Sequence, residues 1–410
     1  MEFSHKQLQS IEAVKKWYHT SSNQTFYLAG YAGSGKTTLA KHIANELGVR
    51  TVYAAYTGKA AYVLRSKGCT DARTIHSLIY HSRENSRDQL TTLQVELEKL
   101  EKELMELDLE GPDIVDHPKY REIQGLIETE EENAKEPYFI LNQDSEITQH
   151  DLVVIDECSM VDTVMGEDLC SFGMPILVLG DPAQLPPING QGYFTSRDPD
   201  FMLDEVHRQA EGNPIIQLAT QVRQGKTLEV GDYGSSSVVG AGARLSDERK
   251  LAFDQIIVGK NVTRRSINKN IRALLGFEDR YPVLADKLVC LKNNNELGLL
   301  NGGLYHVTGL TGVLDQKVHM SVRPENEAES LSVAAWEHYF FGTDKEIRYF
   351  ELSEAQRFDY GYALTCHKSQ GSQWADVCVF DESWVFRQDR NKWLYTAITR
   401  AEESVTIIKT

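Results

Sequence analysis

The stretch "GYAGSGKT", Gly30 to Thr37, decides the fold of this chain. It fits the pattern G-x-x-x-x-G-K-[ST]. Before it, "TFYLAG" (25–30) reads as a short buried strand; after it, "TTLAKHIANEL" (37–47) reads as a helix. Glycines let such a loop curl until its backbone N–H groups point at phosphate oxygens. On this reading Gly30, Ala32, Gly33, Ser34, Gly35, Lys36, Thr37 and Thr38 form a nucleotide cradle. Lys36 neutralises the β and γ phosphates of ATP, and the Thr37 hydroxyl ligates Mg²⁺. A chance match in a chain of this size is on the order of one per cent at average residue usage.

Further strand-like runs are "VRTVYAA" (49–55), "DLVVID" (151–156) and "PILVLG" (175–180), each ending in small or polar residues, with helical patterns between several of them. Strands alternating with helices predict a mainly parallel sheet covered on both faces, with ligands at the carboxyl ends of its strands. "DLVVIDE" delivers Asp156 and Glu157 side by side at one such end. One carboxylate, Asp156, can hold the Mg²⁺ shell while Glu157 polarises an attacking water. Hydrolysis of a nucleoside triphosphate follows from the pair and the loop together.

The interval 86–136 is different. Leu93, Leu97, Leu100, Leu104 and Leu107 recur at alternating steps of four and three, "GP" at 111–112 breaks the pattern, and an amphipathic stretch resumes through Ile123 and Ile127. An antiparallel helical hairpin is expected here, either a solvated arm or a surface for a protein partner. From 240 onward "DQIIVG", "KLVCLK" and "ADVCVFD" suggest a second α/β domain. The piece 301–361, with "LYHVTGL", "KVHMSV" and "IRYFEL", suggests a small antiparallel barrel inserted into it. The expected division is therefore a first α/β domain over 1–85 and 137–195, the hairpin over 86–136, a second α/β domain over 196–300 and 362–410, and the barrel over 301–361.

Composition bounds the partners. The net charge is −17, yet 15 acidic and 5 basic residues between Glu96 and Glu136 supply −10 of it. The remainder is close enough to neutral to carry local basic surfaces suited to a polyanion. Six scattered cysteines without a C-x-x-C pair argue against zinc and disulfides and for reduced thiols in a cytoplasm. No segment approaches the roughly 18 apolar residues of a membrane span, and no signal sequence is recognisable.

Taken in order, these stretches resemble a superfamily 1B DNA helicase, of the branch that holds the phage Dda helicase, RecD-type helicases and Pif1. "FSHKQLQSI" looks like the Q motif, "AAYTGKAAYVL" like motif Ia, "RTIHSLI" like Ib and "DECSM" like II. "LGDPAQLPP" (179–187) is similar to motif III, "LTCHKSQGSQW" to V and "LYTAITRAEE" to VI. The resemblance runs from the N-terminus to residue 400 and leaves out the hairpin and the barrel. It implies two RecA-like domains, an SH3-like barrel, ATP and Mg²⁺ as cofactors, and 5′→3′ travel on single-stranded DNA. The chain would act as a monomer at junctions of single and double strand, in replication or recombination in a bacterial or phage-infected cell.

Residue by residue, the resemblance makes Gln7 the reader of the adenine edge and puts Gly371 at the nucleotide. Gln184 would touch the terminal phosphate from a loop stiffened by three prolines, which remove donors and fix φ. Arg400, and Arg208 in "LDEVHRQAEGNPIIQLATQVRQGK", would reach the γ-phosphate from the second domain. Thr57, Lys59, Thr74, His76, Thr365, His367 and Ser369 match positions that contact the strand's phosphates and sugars, contacts that position without reading sequence. Asn268 in "TRRSINKNIR" is a further contact, with Arg264 and Arg265 lending positive charge. Relatives place a duplex-splitting β pin between motifs Ib and II, where this chain carries its long acidic interval; "EPYFILN" (136–142) offers one pin strand, with Tyr138 or Phe139 as wedge or as core. Two other readings fit the same residues: a translocase that strips proteins from single strands, and a nucleotide-switched DNA-binding subunit.

Overall fold

A computed structural model describes residues 3–82, 85–106, 114, 117–133, 139–187, 190–205, 212–294, 296–325, 327–347 and 354–410. Two parallel-strand sheets form its frame. The first has six strands, in the order Arg73–Thr74, Thr51–Ala55, Leu152–Asp156, Ile176–Gly180, Thr25–Gly30 and Phe201–Leu203, paired parallel throughout. Its inner strands are apolar on both faces because a separate core covers each side. Val153, Ile155 and Val178 pack into one, Val154, Leu177 and Leu179 into the other. This is the near-continuous hydrophobic pattern a doubly covered sheet demands.

Local signals set the helices that cover it. His5–Thr20 starts from a capping box in which Ser4 and Gln7 satisfy each other's backbone N–H groups. Its buried stripe, Gln7, Ser10, Ile11, Val14 and Trp17, follows the helical period. Lys36–Leu47 buries Leu39, Ala40, Ile43 and Ala44 and ends on Gly48 in the left-handed region at φ 64°.

The second sheet also has six strands: Ala363–Thr365, Gln255–Val258, Trp374–Asp381, Ala401–Lys409, Ser236–Val239 and Gly231–Tyr233, with only the last pairing antiparallel. Beside it lies a five-stranded antiparallel sheet in the order Leu331–Trp336, Lys317–Pro324, Leu304–Leu314, Lys287–Cys290 and Phe358–Tyr360. The chain is thus a mixed α/β protein with two parallel-sheet cores. Among the described residues no helix is long and apolar enough to cross a membrane.

Two expected boundaries move. Phe201–Leu203 adds to the edge of the first sheet, Leu28 opposite Phe201, so that domain extends past 195. "KLVCLK" belongs to the antiparallel sheet and not to the second parallel one. Its four strand residues are all buried, because Leu288 and Cys290 enter the antiparallel core while Val289 enters the core of the second parallel sheet. A strand covered on both faces shows no alternation, so it reads like a parallel strand. The structure adds Leu331–Trp336, which the sequence did not signal; "IRYFEL" lies outside the described residues beyond Ile347.

Between the fourth and fifth strands of the chain, helices Asn85–Glu106 and Pro118–Asn133 pack on each other through Leu100, Leu104, Ile123 and Ile127, with Ile114 in the same core. Leu107 and the Gly111–Pro112 break lie outside the described residues. At the base of the pair, Tyr80–Ser82 and Phe139–Leu141 form a two-stranded antiparallel ribbon, Ser82 opposite Phe139. This small core is separate from those of the sheets. Leu104→Ala should therefore cost about 2–4 kcal/mol locally. Hydrogen exchange should show lost protection over 85–133 while the main thermal transition stays in place.

Candidate active site at the domain seam

The loop after Thr25–Gly30 turns by means of Gly33 and Gly35, at φ 79° and 77°, a region that L side chains rarely adopt. The Gln7 amide N–H donates to Ser34 O at 3.1 Å, and its carbonyl accepts from Ser4 N at 2.9 Å. Buried beneath the loop, Gln7 thus holds the cradle's shape. The Lys36 ammonium donates to Gly30 O at 2.6 Å and Tyr31 O at 3.2 Å, which keeps its charge over the mouth of the loop.

Two parallel strands away, Asp156 and Glu157 leave the end of Leu152–Asp156 in different directions. Asp156 Oδ2 accepts from the Thr37 hydroxyl at 2.7 Å, and Oδ1 accepts from Glu157 N at 2.8 Å. Glu157 sits at φ 54°, a left-handed conformation unusual for a side-chain-bearing residue. That turn swings its carboxylate to the wall of a cavity of about 490 Å³ shared with Lys36, Gln184 and Arg400. Burial pushes the Glu157 carboxyl above the ordinary carboxylate range, and the Arg400 guanidinium opposes the shift.

Arg400 comes from the second domain, just beyond helix Arg390–Ile398. It is 3% exposed and bonds three groups of its own domain: Thr396 O at 3.0 Å, Ser372 O at 3.2 Å and Thr399 Oγ1 at 3.3 Å. Gln184 lines the cavity and is 6% exposed; its side-chain oxygen is buried and has no hydrogen-bond partner among the described residues. A buried amide oxygen that accepts no hydrogen bond is costly.

The proline-flanked loop that carries Gln184 is clamped to the second domain. Leu185 N donates to Thr396 Oγ1 at 2.9 Å, and Leu185 O accepts from Gln370 Nε2 at 3.3 Å. Asp181, 1% exposed, accepts from the Tyr395 hydroxyl at 2.6 Å, and that hydroxyl accepts from Ala32 N at 3.1 Å. Gly371 approaches Thr57 so closely that a β-carbon there would lie 3.0 Å from Thr57 Oγ1. Sequence reasoning passed over Tyr395, Thr396 and Gln370. Their only signal is that they lie within the runs singled out for Arg400 and Gly371.

The residues expected on the DNA side divide. Thr57 and Thr74 cap helices Gly58–Ser66 and Ile75–Ile79 by accepting from Ala60 N and Ser77 N, both at 3.1 Å. His76 is half-buried, edge-on to Tyr56 and tilted against Tyr80, and burial lowers its imidazole below the ordinary range. His367 stands against Phe386 with the same shift from the same cause. Thr365 is the half-buried residue before helix Cys366–Ser369. Lys59 lies at the seam, lining the large cavity, and burial lowers its ammonium.

Two expected contacts are corrected. Asn268, 3% exposed, donates to Tyr360 O at 2.9 Å and accepts from Ala363 N at 2.7 Å; Ser369 is fully buried and donates to Cys366 O at 2.7 Å. Both are committed to backbone partners inside the second domain. Arg264 is likewise spent on Asp359 at 2.6 Å, whereas Arg265 is largely exposed. Arg208 and Tyr138 lie outside the described residues, as does the Phe139 side chain. Asn268→Ala should therefore lower stability by about 2–4 kcal/mol for its two lost bonds, read as a drop in thermal midpoint. Its single-strand affinity should stay within twofold of the parent's.

Comparison with known proteins follows the same division. The AAA domain family matches residues 3–244, and the UvrD-like helicase C-terminal domain matches 360–408. An ATP-dependent RecD2 DNA helicase of Deinococcus radiodurans is 27% identical over 394 residues, covering 92% of this chain and 46% of the relative. An uncharacterized protein, R530, of Acanthamoeba polyphaga mimivirus is 28% identical over 226 residues, 50% of this chain and 39% of that one. The chain thus spans less than half the length of either curated relative. Among solved structures, Pif1 helicases at forked double-stranded DNA share 17% identity at a TM-score of 0.55. Bacteroides Pif1 bound to single-stranded DNA shares 17% at 0.53, and each covers 99% of this chain and 92% of the other. With its phosphate loop in the first of these matched segments and its seam arginine in the second, the chain belongs to the AAA domain family.

Proposed function

We propose that the chain hydrolyses ATP at the seam between its two parallel-sheet domains and uses the cycle to move 5′→3′ along single-stranded DNA, opening duplex ahead of it. The observation that carries this reading is the Gln184–Leu185 pair. The first residue lines the cavity, and the next is held through both its N–H and its C=O by the other domain. Chemistry at the first is then felt mechanically at the second.

The roles divide by position. The Gly30–Thr37 loop takes the phosphates, with Lys36 against the β and γ oxygens. The Thr37 hydroxyl and Asp156 carboxylate, 2.7 Å apart, form the hard oxygen pair that suits Mg²⁺, which usually keeps waters and few protein ligands. When bound there, Mg²⁺ would neutralise charge developing on the phosphates. Glu157 orients and deprotonates the attacking water, Gln184 accepts from it, and Arg400 moves in to stabilise charge on the transferred group. Arg208 joins from the same domain. Gln7 serves the adenine edge and Gly371 borders the nucleotide.

On the DNA side, Thr57, Thr74, His76, Thr365 and His367 line the strand's path, with Lys59 between that path and the seam. Neutral histidine rings suit stacking on bases. The ribbon of Tyr80–Ser82 and Phe139–Leu141 serves as the duplex-splitting pin, with Tyr138 or Phe139 as the wedge against the last base pair. We read the two-helix element as an antiparallel hairpin insertion particular to this chain, its acidic surface facing a protein partner rather than phosphates, and the antiparallel sheet as an SH3-like barrel. The molecule acts as a monomer in the cytoplasm.

Matched duplexes with 5′ or 3′ tails test the reading: ATP-dependent unwinding of the 5′-tailed substrate alone is expected, and unwinding of neither would overturn it. Gln184→Ala should keep DNA-stimulated hydrolysis within about tenfold of the parent while slowing translocation by more than that, as expected for a lost coupling contact. Stopped-flow traces in which both rates are unchanged would remove Gln184 from the mechanism.

A further inference from the structure

Three elements from two domains meet on one oxygen atom. The Tyr395 hydroxyl accepts from Ala32 N of the phosphate loop at 3.1 Å and donates to Asp181 Oδ2 at 2.6 Å, on the loop that carries Gln184. Both residues are almost fully buried, at 2% and 1% exposure. Asp181 Oδ1 is taken by Ala183 N at 2.9 Å, so its other oxygen depends on Tyr395. Burial raises the phenol far above its ordinary range, which leaves the hydroxyl protonated and able to donate.

We propose that Tyr395 is the positioning residue that couples phosphate-loop geometry to movement of the second domain, because its hydroxyl bridges Ala32 N–H and Asp181 across the seam. The inference rests on the helicase reading above and deepens it. Hydrogen bonds weaken steeply with length and angle, so one hydroxyl cannot keep both partners when either shifts. Losing the Asp181 bond leaves a buried carboxylate oxygen unpaired, a larger loss than the bond's own net worth. The phosphate loop, the Gln184 loop and helix Arg390–Ile398 therefore move as a set or not at all. The next residue, Thr396, carries the same logic onward: its hydroxyl holds Leu185 N while its carbonyl holds Arg400. Tyr395 touches no reacting atom. It acts through the backbone of the loop that does.

Tyr395→Phe removes the hydroxyl and keeps the ring. The measurement is ATP hydrolysed per nucleotide advanced, from phosphate release and strand-end arrival recorded on the same single-stranded oligonucleotide. The variant is expected to raise this ratio about threefold or more, the scale of one lost buried hydrogen bond. A merely structural tyrosine would lower both rates together and leave the ratio at the parent's value, and that result would overturn the proposal. Hydrogen exchange on the parent protein, with and without a non-hydrolysable ATP analogue, decides the case even if the variant is inactive or unfolded. Protection over 181–187 and 393–398 should change together; change in 181–187 alone would overturn it. A parent protein without DNA-stimulated hydrolysis would instead bring down the helicase reading, so the two failures are distinguishable.

Discussion

The second domain holds the backbone of Leu185 from both sides, through Thr396 and Gln370, and most of what the molecule does depends on that grip. A loop at the end of a buried strand normally belongs to one domain. Here Pro182, Pro186 and Pro187 surround the gripped segment, removing donors that would otherwise compete and fixing φ so that the loop moves as one piece. Gln184, one residue away, lines the cavity. On the proposed function, stiffness around this single amide links phosphate chemistry to domain position.

Charge distribution in the cavity explains why the site needs two domains. Asp156, Glu157 and Asp181 crowd the carboxyl ends of neighbouring strands in the first sheet, and only Lys36 among the first domain's cradle residues opposes them. Burial drives the Glu157 and Asp181 carboxyls upward, and Arg400 from the other side pulls both back. The arginine is held by three groups of its own domain, which fix its place at the seam relative to that domain. An arginine arriving with developing charge stabilises a transition state more than a ground state.

The phosphate loop, its flanking strand and helix, and the two carboxylates were readable in advance, since glycine spacing, Lys36 and the apolar run into Asp156 each have a local physical cause. Elsewhere the sequence misled for equally physical reasons. Lys287–Cys290 is covered by two different cores, so its unbroken apolar run looks like a parallel strand. Asn268 and Ser369 are polar residues next to motif-like stretches, and nothing in a linear chain distinguishes a hydroxyl or amide facing a ligand from one satisfying a buried carbonyl. Tyr395 sits in "WLYTAI", which reads as core packing. Its partners, Ala32 and Asp181, are more than 200 residues distant. Only the fold brings them to one atom.

The central claim is that cleavage of ATP at the seam is geared to the hold on a threaded strand. ATP turnover by the purified protein, measured with and without a single-stranded oligonucleotide at saturating nucleotide, tests it most directly. The account predicts that the oligonucleotide binds and raises turnover by at least about tenfold, the scale of a coupling free energy between two sites. Equal turnover in both conditions, with no oligonucleotide bound, would contradict it.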